Sequence, residues 1–366
     1  MQISPHPARP KVGLVGFYGH GNFGDDLMAV IIGLFLKEAG IPFSVYKLCA
    51  PYAEAFQFDV ARSADELLED TQVLLWGGGG LLIPWSNLTY NLLFPGVAEE
   101  FGSLIRVARR RGLRFCACSV GGNGDHPVRL TPDYKQSFVE AAQYMSVRNP
   151  HDLALLERFG VSGDYFPDIV WRAPTSFPVR RRKTGAPRVG IDLYMGNLAR
   201  ANSFYIIPLL SLITRSRRDC EFVFMDTTNR SVKPYRGLGR VITGANVSSY
   251  QFHDPFADLE FLASLDLLVS SRLHTTMLCL GYGVPAVSLF GEKKTRLLLE
   301  NLDRPNLYYG HRRIRQFLSL MLERAAMAQF VREFEFPDVA RLSGDSYGHL
   351  LKLRQVLQPE TELPVR

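Results

Sequence analysis

The chain has 366 residues, 46% hydrophobic and 21% charged, with a formal net charge of +6. At roughly 150 residues per domain it is long enough for two domains with separate cores. No apolar run approaches the ~20 residues of a membrane-spanning helix, and Met1–Pro10 lacks the apolar stretch of a secretory signal, so the expected location is the cytoplasm. The positive excess is clumped at Arg109–Arg110–Arg111, Arg180–Arg181–Arg182–Lys183 and Arg312–Arg313–Arg315. Such clusters attract nucleic acid, anionic lipid or phosphorylated substrates, or stand as solvated surface. No zinc-finger or RNA-binding signature accompanies them, so no nucleic-acid partner is expected. Of the five cysteines, Cys116 and Cys118 share one face of a strand. No Cys-x-x-Cys pair or zinc-type His–Cys spacing occurs, and they read as small buried residues.

In chain order, short apolar runs alternate with helical patterns, the signature of parallel βαβ units. A strand at Val12–Phe17 precedes a helix over 26–39, closed by Gly40 at the position of a left-handed cap. Strands follow at Phe43–Leu48 and Val73–Trp76, then a basic helix over 101–111, a strand at Arg114–Val120 and another at Tyr144–Val147. A helix over 150–159 is closed by Gly160. Ala173–Pro187 is rich in Pro and Arg, has no period, and reads as a linker. The alternation then restarts with strands at Val189–Tyr194, Phe222–Asp226, Leu267–Ser270 and Ala286–Phe290, and helices over 204–215 and 275–282. The expected class is α/β, with Rossmann-like domains at 1–175 and 188–335 and a tail or crossing helix at 336–366.

Gly19, Gly21 and Gly24 spell G-x-G-x-x-G between the first strand and its helix, as in a dinucleotide site. Asp25 and Asp26 follow where a pyrophosphate would sit, and the second strand, ending Tyr46–Cys49, supplies no acid for a ribose. Both features argue against NAD. Asn and Asp are good N-cap residues, so one of Asn22, Asp25 and Asp26 caps the helix. Another is available to bond sugar hydroxyls or act as a base. Further strands end in Gly77–Gly80, Ser119–Gly122, Ser146–Arg148, Ser270–His274 and Gly291–Lys293. Ligands of open parallel sheets bind outside such carboxyl ends, where glycines admit close approach and helix N-termini favour anions. The plainer alternatives are tight packing for the glycines, a satisfied core imidazole for His274, and an Arg272–Asp266 ion pair.

Taken in order, GHGNFGDD at 19–26, WGGGGLL at 76–82, SVGG at 119–122, SVRNPHD at 146–152, PDIVW at 167–171 and SSRLHTTMLCLGYGVPAVSLFGEKK at 270–294 resemble the successive motifs of the polysaccharide pyruvyl transferase family. The resemblance implies a glycosyltransferase-B-like pair of Rossmann-like domains facing across a cleft. It also implies phosphoenolpyruvate as donor, a glycan or lipid-linked oligosaccharide as acceptor, and no cofactor or metal. By position, Arg148, Arg272, Leu273, His274 and Lys293 would hold or act on the donor. Asn22, Asp25, Asp26, Gly78, Gly79 and Ser119 would line the acceptor side. Two departures touch acceptor contacts: Asp26 stands where many members carry Glu, and Phe290 where the family often has Tyr.

The residue types suit that chemistry. Arginine forks match the phosphate and carboxylate of the donor. An imidazole at His274 would protonate the enol carbon and Asp25 would take the proton of the attacking hydroxyl. Loss of phosphate and attack by a second hydroxyl would close a ketal in an exopolysaccharide precursor. The basic clusters would allow peripheral contact with the inner membrane face. The rivals are a nucleotide-sugar-dependent glycosyltransferase of the same fold, a nicotinamide enzyme, and a non-catalytic sugar- or phosphate-binding protein. Thermal stabilisation by each ligand separates them.

Overall fold

The computed structural model describes residues 9–82, 96–122, 139–181, 185–229, 231 and 237–358. Arg182 and Lys183 of one basic cluster, and residues 1–8 of the N-terminal segment, lie outside the described residues. The chain divides into two compact units. One holds residues up to His20, Asp25–Ile169 and the chain from Ser343 onward; the other holds Gly21–Gly24 and Val170–Leu342.

The first unit is a seven-stranded, wholly parallel sheet. Its strands are β1 (Val12–Val15), β2 (Phe43–Tyr46), β3 (Val60–Ala61), β4 (Val73–Gly79), β5 (Arg114–Val120), β6 (Ala142–Val147) and β7 (Asp164–Tyr165), in the order β3-β2-β1-β4-β5-β6-β7. β4 is buried along its whole length, as expected of a strand covered on both faces. Helix α1 (Phe23–Glu38) follows β1, α2 (Val97–Arg110) precedes β5 and α3 (Pro150–Arg158) follows β6. α2 turns Val97, Phe101, Leu104, Ile105 and Ala108 inward, the i, i+3/i+4 stripe of a core-facing helix. There Phe101 meets the edge of Trp76, at the centre of the core.

The second unit is a six-stranded parallel sheet in the order β10-β9-β8-β11-β12-β13. Its strands are β8 (Arg188–Asp192), β9 (Glu221–Asp226), β10 (Val247–Gln251), β11 (Leu267–Ser270), β12 (Ala286–Leu289) and β13 (Tyr308–Tyr309). Helices α4 (Leu273–Gly281) and α5 (Lys293–Asn301) follow β11 and β12. Its core gathers Val189, Ile191, Phe222, Phe224, Val269 and Val287 from four strands, β8, β9, β11 and β12. In both units the strand order reverses once, between β1 and β4 and between β8 and β11, the doubly wound arrangement that opens a ligand crevice at the reversal.

The segment after Leu342 belongs to the first unit and ends in helix α6 (Gly348–Leu357). The expected linker, Ala173–Pro187, begins with a helical turn at Ala173–Ser176 and is preceded by a 3-10 turn at Ile169–Arg172. Among the described residues, no helix is long and apolar enough to cross a membrane.

Candidate active site

In the second unit, β8 and β11 flank the reversal and their loops are laced together. Ser271 N donates to Asp192 O (2.9 Å), Tyr194 N to Ser271 Oγ (2.8 Å) and Asn197 Nδ2 to Ser271 O (3.3 Å). The following residue, Arg272, is the N-cap of α4 with extended backbone. Its N–H donates to Ser270 Oγ (2.9 Å) and its carbonyl accepts the Thr276 hydroxyl (2.8 Å). The guanidinium lies 5.1 Å over the Tyr194 ring, with Nε 3.6 Å from Asp192 Oδ1. That separation is an ion pair and too long for a hydrogen bond. The side chain keeps 25% of its surface exposed, whereas that of Asp192 keeps 3%. Burial raises the Asp192 carboxyl above the usual carboxylate range, opposed by the charge of Arg272 and a hydrogen bond from Thr275. The plainer alternative, an Arg272–Asp266 pair, does not form: Asp266 accepts Arg188 N–H (2.9 Å) and lies 3.9 Å from Arg181.

Two residues on, half-buried His274 lies against Gly24. A Cβ at Gly24 would fall 1.9 Å from His274 Nδ1, so only glycine admits the ring there. The strip carrying Gly24 is held to the second unit by Phe23 N donating to Thr227 O (3.3 Å), Asn229 N donating to Gly21 O (2.9 Å) and an Asn22–Thr228 bridge. Phe23 also packs edge-on against Phe252. Asn22 is thus placed by backbone pairing. Leu273 is buried in the first turn of α4, and exposed Lys293 opens α5 at the end of neighbouring β12. Just before it, Phe290 takes a left-handed φ of 51°, a conformation that costs a non-glycine residue about 1 kcal/mol or more.

In the first unit the acidic residues and glycines collect at the β1–β4 reversal. Asp25 and Asp26 sit in the first turn of α1, where the helix dipole favours carboxylates. Asp26 is fully buried. It accepts Gly19 N–H (2.9 Å) and the Cys49 thiol (3.1 Å), tying the glycine loop to the helix. Burial pushes its carboxyl up to about 7, against the lowering effect of those two bonds. Asp25 faces Gly79: a Cβ there would lie 3.1 Å from Asp25 Oδ1. Gly78 and Gly79 have φ of 77° and 88°, and Met28 occupies the space a Gly78 side chain would need.

Arg148 and Ser119 sit at the ends of β6 and β5, and Arg148 Nη1 lies 4.0 Å from the sulfur of the same Met28. Arg148 is 4% exposed and Nη1 donates to Asp168 Oδ2 (2.8 Å). Ser119, with φ of 56°, is fully buried; its hydroxyl accepts Ile169 N–H (3.1 Å) and its N–H donates to Ser146 Oγ (3.2 Å). The structure therefore groups Arg272, Leu273, His274 and Asn22 in one unit, and Asp25, Asp26, Gly78 and Gly79 in the other. Asp192, Tyr194 and Asp168 are partners that sequence reasoning missed. Asp192 and Arg272 are joined only by strand order, which leaves no local signal. Asp168 stood inside the PDIVW motif.

One arginine of each basic cluster proves to be a tie to backbone carbonyls: Arg111 to Leu68 O (2.6 Å), Arg181 to Gly283 O (2.7 Å) and Arg313 to Asn306 O (2.6 Å). Among the described residues, no group of three or more His, Cys, Asp or Glu side chains could hold a metal ion.

The family model for polysaccharide pyruvyl transferases matches residues 22–289, well over half of the chain. No curated protein sequence matches it significantly. Among solved structures, S. aureus MnaA with UDP is similar at 11% identity and TM-score 0.64, covering 96% of this chain and 97% of that one. The UDP-GlcNAc 2-epimerase of Methanocaldococcus jannaschii, with UDP-GlcNAc and UDP, is similar at 10% identity and TM-score 0.59 (94% and 99% covered). That of Neisseria meningitidis, bound to UDP-GlcNAc, is similar at 13% identity and TM-score 0.55 (93% and 100% covered). At these identities the likeness is one of fold: two Rossmann-like domains of the glycosyltransferase-B-like class.

Proposed function

The chain belongs to the polysaccharide pyruvyl transferase family, and from that premise we propose that it transfers the pyruvyl group of phosphoenolpyruvate to hydroxyls of a glycan acceptor. Arg272 binds the donor through charge-assisted hydrogen bonds, aided by Lys293 and by the N–H groups that open α4. His274 gives its proton to the methylene carbon of the enol as a sugar hydroxyl attacks the adjacent carbon, and Asp25 receives the hydroxyl proton. Phosphate leaves with the electron pair of its C–O bond, and a second hydroxyl closes the ketal. The acceptor is a polysaccharide precursor, and no metal or cofactor takes part.

The observation that supports this reading best is the β11 loop. It puts an accessible guanidinium at a helix N-terminus, two residues from an imidazole seated on glycine, beside the reversal of the sheet. Arg148 is already committed to Asp168, so the reading rests its grip on Arg272. The rival, a nucleotide-sugar-dependent glycosyltransferase, has fold likeness alone in its favour.

Calorimetric titration with phosphoenolpyruvate decides between them. Saturable binding is expected, weakened about 10- to 100-fold in Arg272→Ala, because hydrogen bonds to charged groups contribute about 1.5–3 kcal/mol. A folded protein that ignores phosphoenolpyruvate and binds a nucleotide sugar overturns the proposal in favour of the rival.

A further inference from the structure

Helix α6 brings a histidine into the first unit that the donor chemistry does not use. His349 is fully buried and both ring nitrogens are engaged: Nδ1 lies 2.7 Å from Ser146 Oγ and Nε2 3.1 Å from Pro167 O. A carbonyl only accepts, so Nε2 carries the ring proton and Nδ1 accepts the Ser146 hydroxyl proton. Ser146 Oγ in turn accepts Ser119 N–H, and the Ser119 hydroxyl accepts Ile169 N–H. The Tyr144 hydroxyl donates to His349 O (3.2 Å). The edge of the imidazole meets Phe166, whose ring also fills the space beside Gly348: a Cβ there would lie 2.2 Å from it.

The two acceptor and donor partners are not arbitrary places on the sheet. Ser146 stands two residues before Arg148, and Pro167 one residue before Asp168. One imidazole thus holds both backbone segments from which Arg148 and Asp168 reach each other at 2.8 Å. It does so from a helix 203 and 182 residues downstream of its two partners. A neutral ring satisfies every polar atom in the relay, which is what a buried network needs to fix a single geometry.

We propose that His349, as the neutral Nε2–H tautomer, is a positioning residue that fixes the Arg148–Asp168 pair by bracing the end of β6 against the segment Pro167–Ile169. The inference stands on the first unit alone and holds whichever donor the second unit takes. It also assigns a task to the C-terminal segment: α6 is the brace for strand ends far upstream in the chain.

Hydrogen exchange on the full chain, followed by peptide, tests it. His349→Phe keeps the volume and removes both hydrogen bonds; exchange is expected to quicken about 10-fold or more around Ser119, Arg148 and Pro167–Ile169, with β8–β12 unchanged. Two conservative variants then separate the contacts. In His349→Asn, Oδ1 takes the place of Nδ1 and restores slow exchange at Ser119 and Arg148 but not at Pro167–Ile169. In His349→Gln, Nε2 takes the place of the ring Nε2 and gives the reverse. Wild-type exchange in the phenylalanine variant, equal loosening of both units, or identical patterns for Asn and Gln would overturn the proposal. If the phenylalanine variant does not fold, the contrast between Asn and Gln decides alone.

Discussion

Each unit has a strand that ends in Ser-x-Arg, Ser146–Arg148 after β6 and Ser270–Arg272 after β11, and the two arginines fare differently. The Arg148 side chain is 2% exposed and hydrogen-bonds Asp168 at 2.8 Å. The Arg272 side chain is 25% exposed, lies 3.6 Å from Asp192, and rests on Tyr194. The Ser-x-Arg pattern is shared; position in the sheet is not. β11 borders the reversal of strand order, whereas β6 lies two strands beyond it. Next to a reversal the crevice leaves a side chain room for a ligand. Away from it the chain packs over the strand end, and the guanidinium must find a carboxylate inside the protein. Topology, more than the motif, sorts a partly exposed arginine from a buried, hydrogen-bonded one.

The largest expected effect tests the buried half of that contrast. Arg148→Ala takes the 2.8 Å hydrogen bond and the opposite charge from the buried Asp168 carboxylate, which costs about 3–5 kcal/mol, read as a lowered urea midpoint. Replacing both residues by apolar ones of similar volume should recover most of the loss. A loss below about 1 kcal/mol, typical of exposed pairs, would erase the distinction between the two arginines.

Next in size are two opposed pH effects, both in the first unit. Burial pulls His349 down to about 4, against the pull of Asp168. An unfolded imidazole titrates near 6.5. Between about pH 4 and 6.5 the unfolded chain binds the extra proton, so this group makes stability rise with pH and then level off. Asp26, pushed up to about 7 by burial, holds a proton in the fold that an unfolded aspartate releases near 3.9. Its contribution falls as pH rises from about 4 to 7. Asp258 in the second unit, raised to about 7 by burial, adds to that fall. In urea titrations from pH 4.5 to 6.5, Asp26→Asn should therefore shift the slope of stability against pH in the positive direction and His349→Gln in the negative direction, each by on the order of 3 kcal/mol across the full window. Parallel curves for wild type and both variants would refute these environments.

The sequence makes the fold legible where burial is two-sided. Short, largely apolar runs such as VLLW in β4 and LLVS in β11, bounded by turn residues, fit interior strands, and both strands are fully buried. Edge strands escaped: β3, β7 and β13 have two residues each, and β10 reads VSSYQ, with no apolar signal. The role of α6 escaped too: Leu350, Leu353 and Leu357 mark a core face, but nothing in the local sequence says that His349 is interior as well. In the candidate site, Arg272, His274 and the glycine loop were visible as motif residues. Their supports were not: Asp192 reaches Arg272 only through the pairing of β8 with β11. Gly24 was visible as the third glycine of a G-x-G-x-x-G loop that its own flanking acids argue against as a dinucleotide site; its physical use is to seat an imidazole.

That seat yields a smaller effect. Gly24→Ala puts a methyl 1.9 Å from His274 Nδ1, and relief by side-chain displacement should cost about 1–3 kcal/mol. The informative readout is turnover, which should fall at least as far as in His274→Ala, since both variants take the imidazole from its place. Turnover near wild type in a folded Gly24→Ala protein would separate His274 from the chemistry.

The smallest expected change in stability is at Arg272, and its smallness matters. The pair with Asp192 lacks hydrogen-bond distance and the guanidinium is partly solvated. Arg272→Ala should cost less than Arg148→Ala, because burial already raises the Asp192 carboxyl toward its neutral form and little charge is stranded, which leaves mainly a cation–π contact with Tyr194 of about 0.5–1 kcal/mol. The same substitution is expected to abolish most phosphoenolpyruvate affinity. A residue that costs little to remove from the folded chain, and much to remove from the complex, is one whose charge is held for a ligand. If Arg272→Ala instead unfolds as readily as Arg148→Ala, both arginines are structural and the donor must be gripped elsewhere, with Lys293 at the N-terminus of α5 the next side chain to replace.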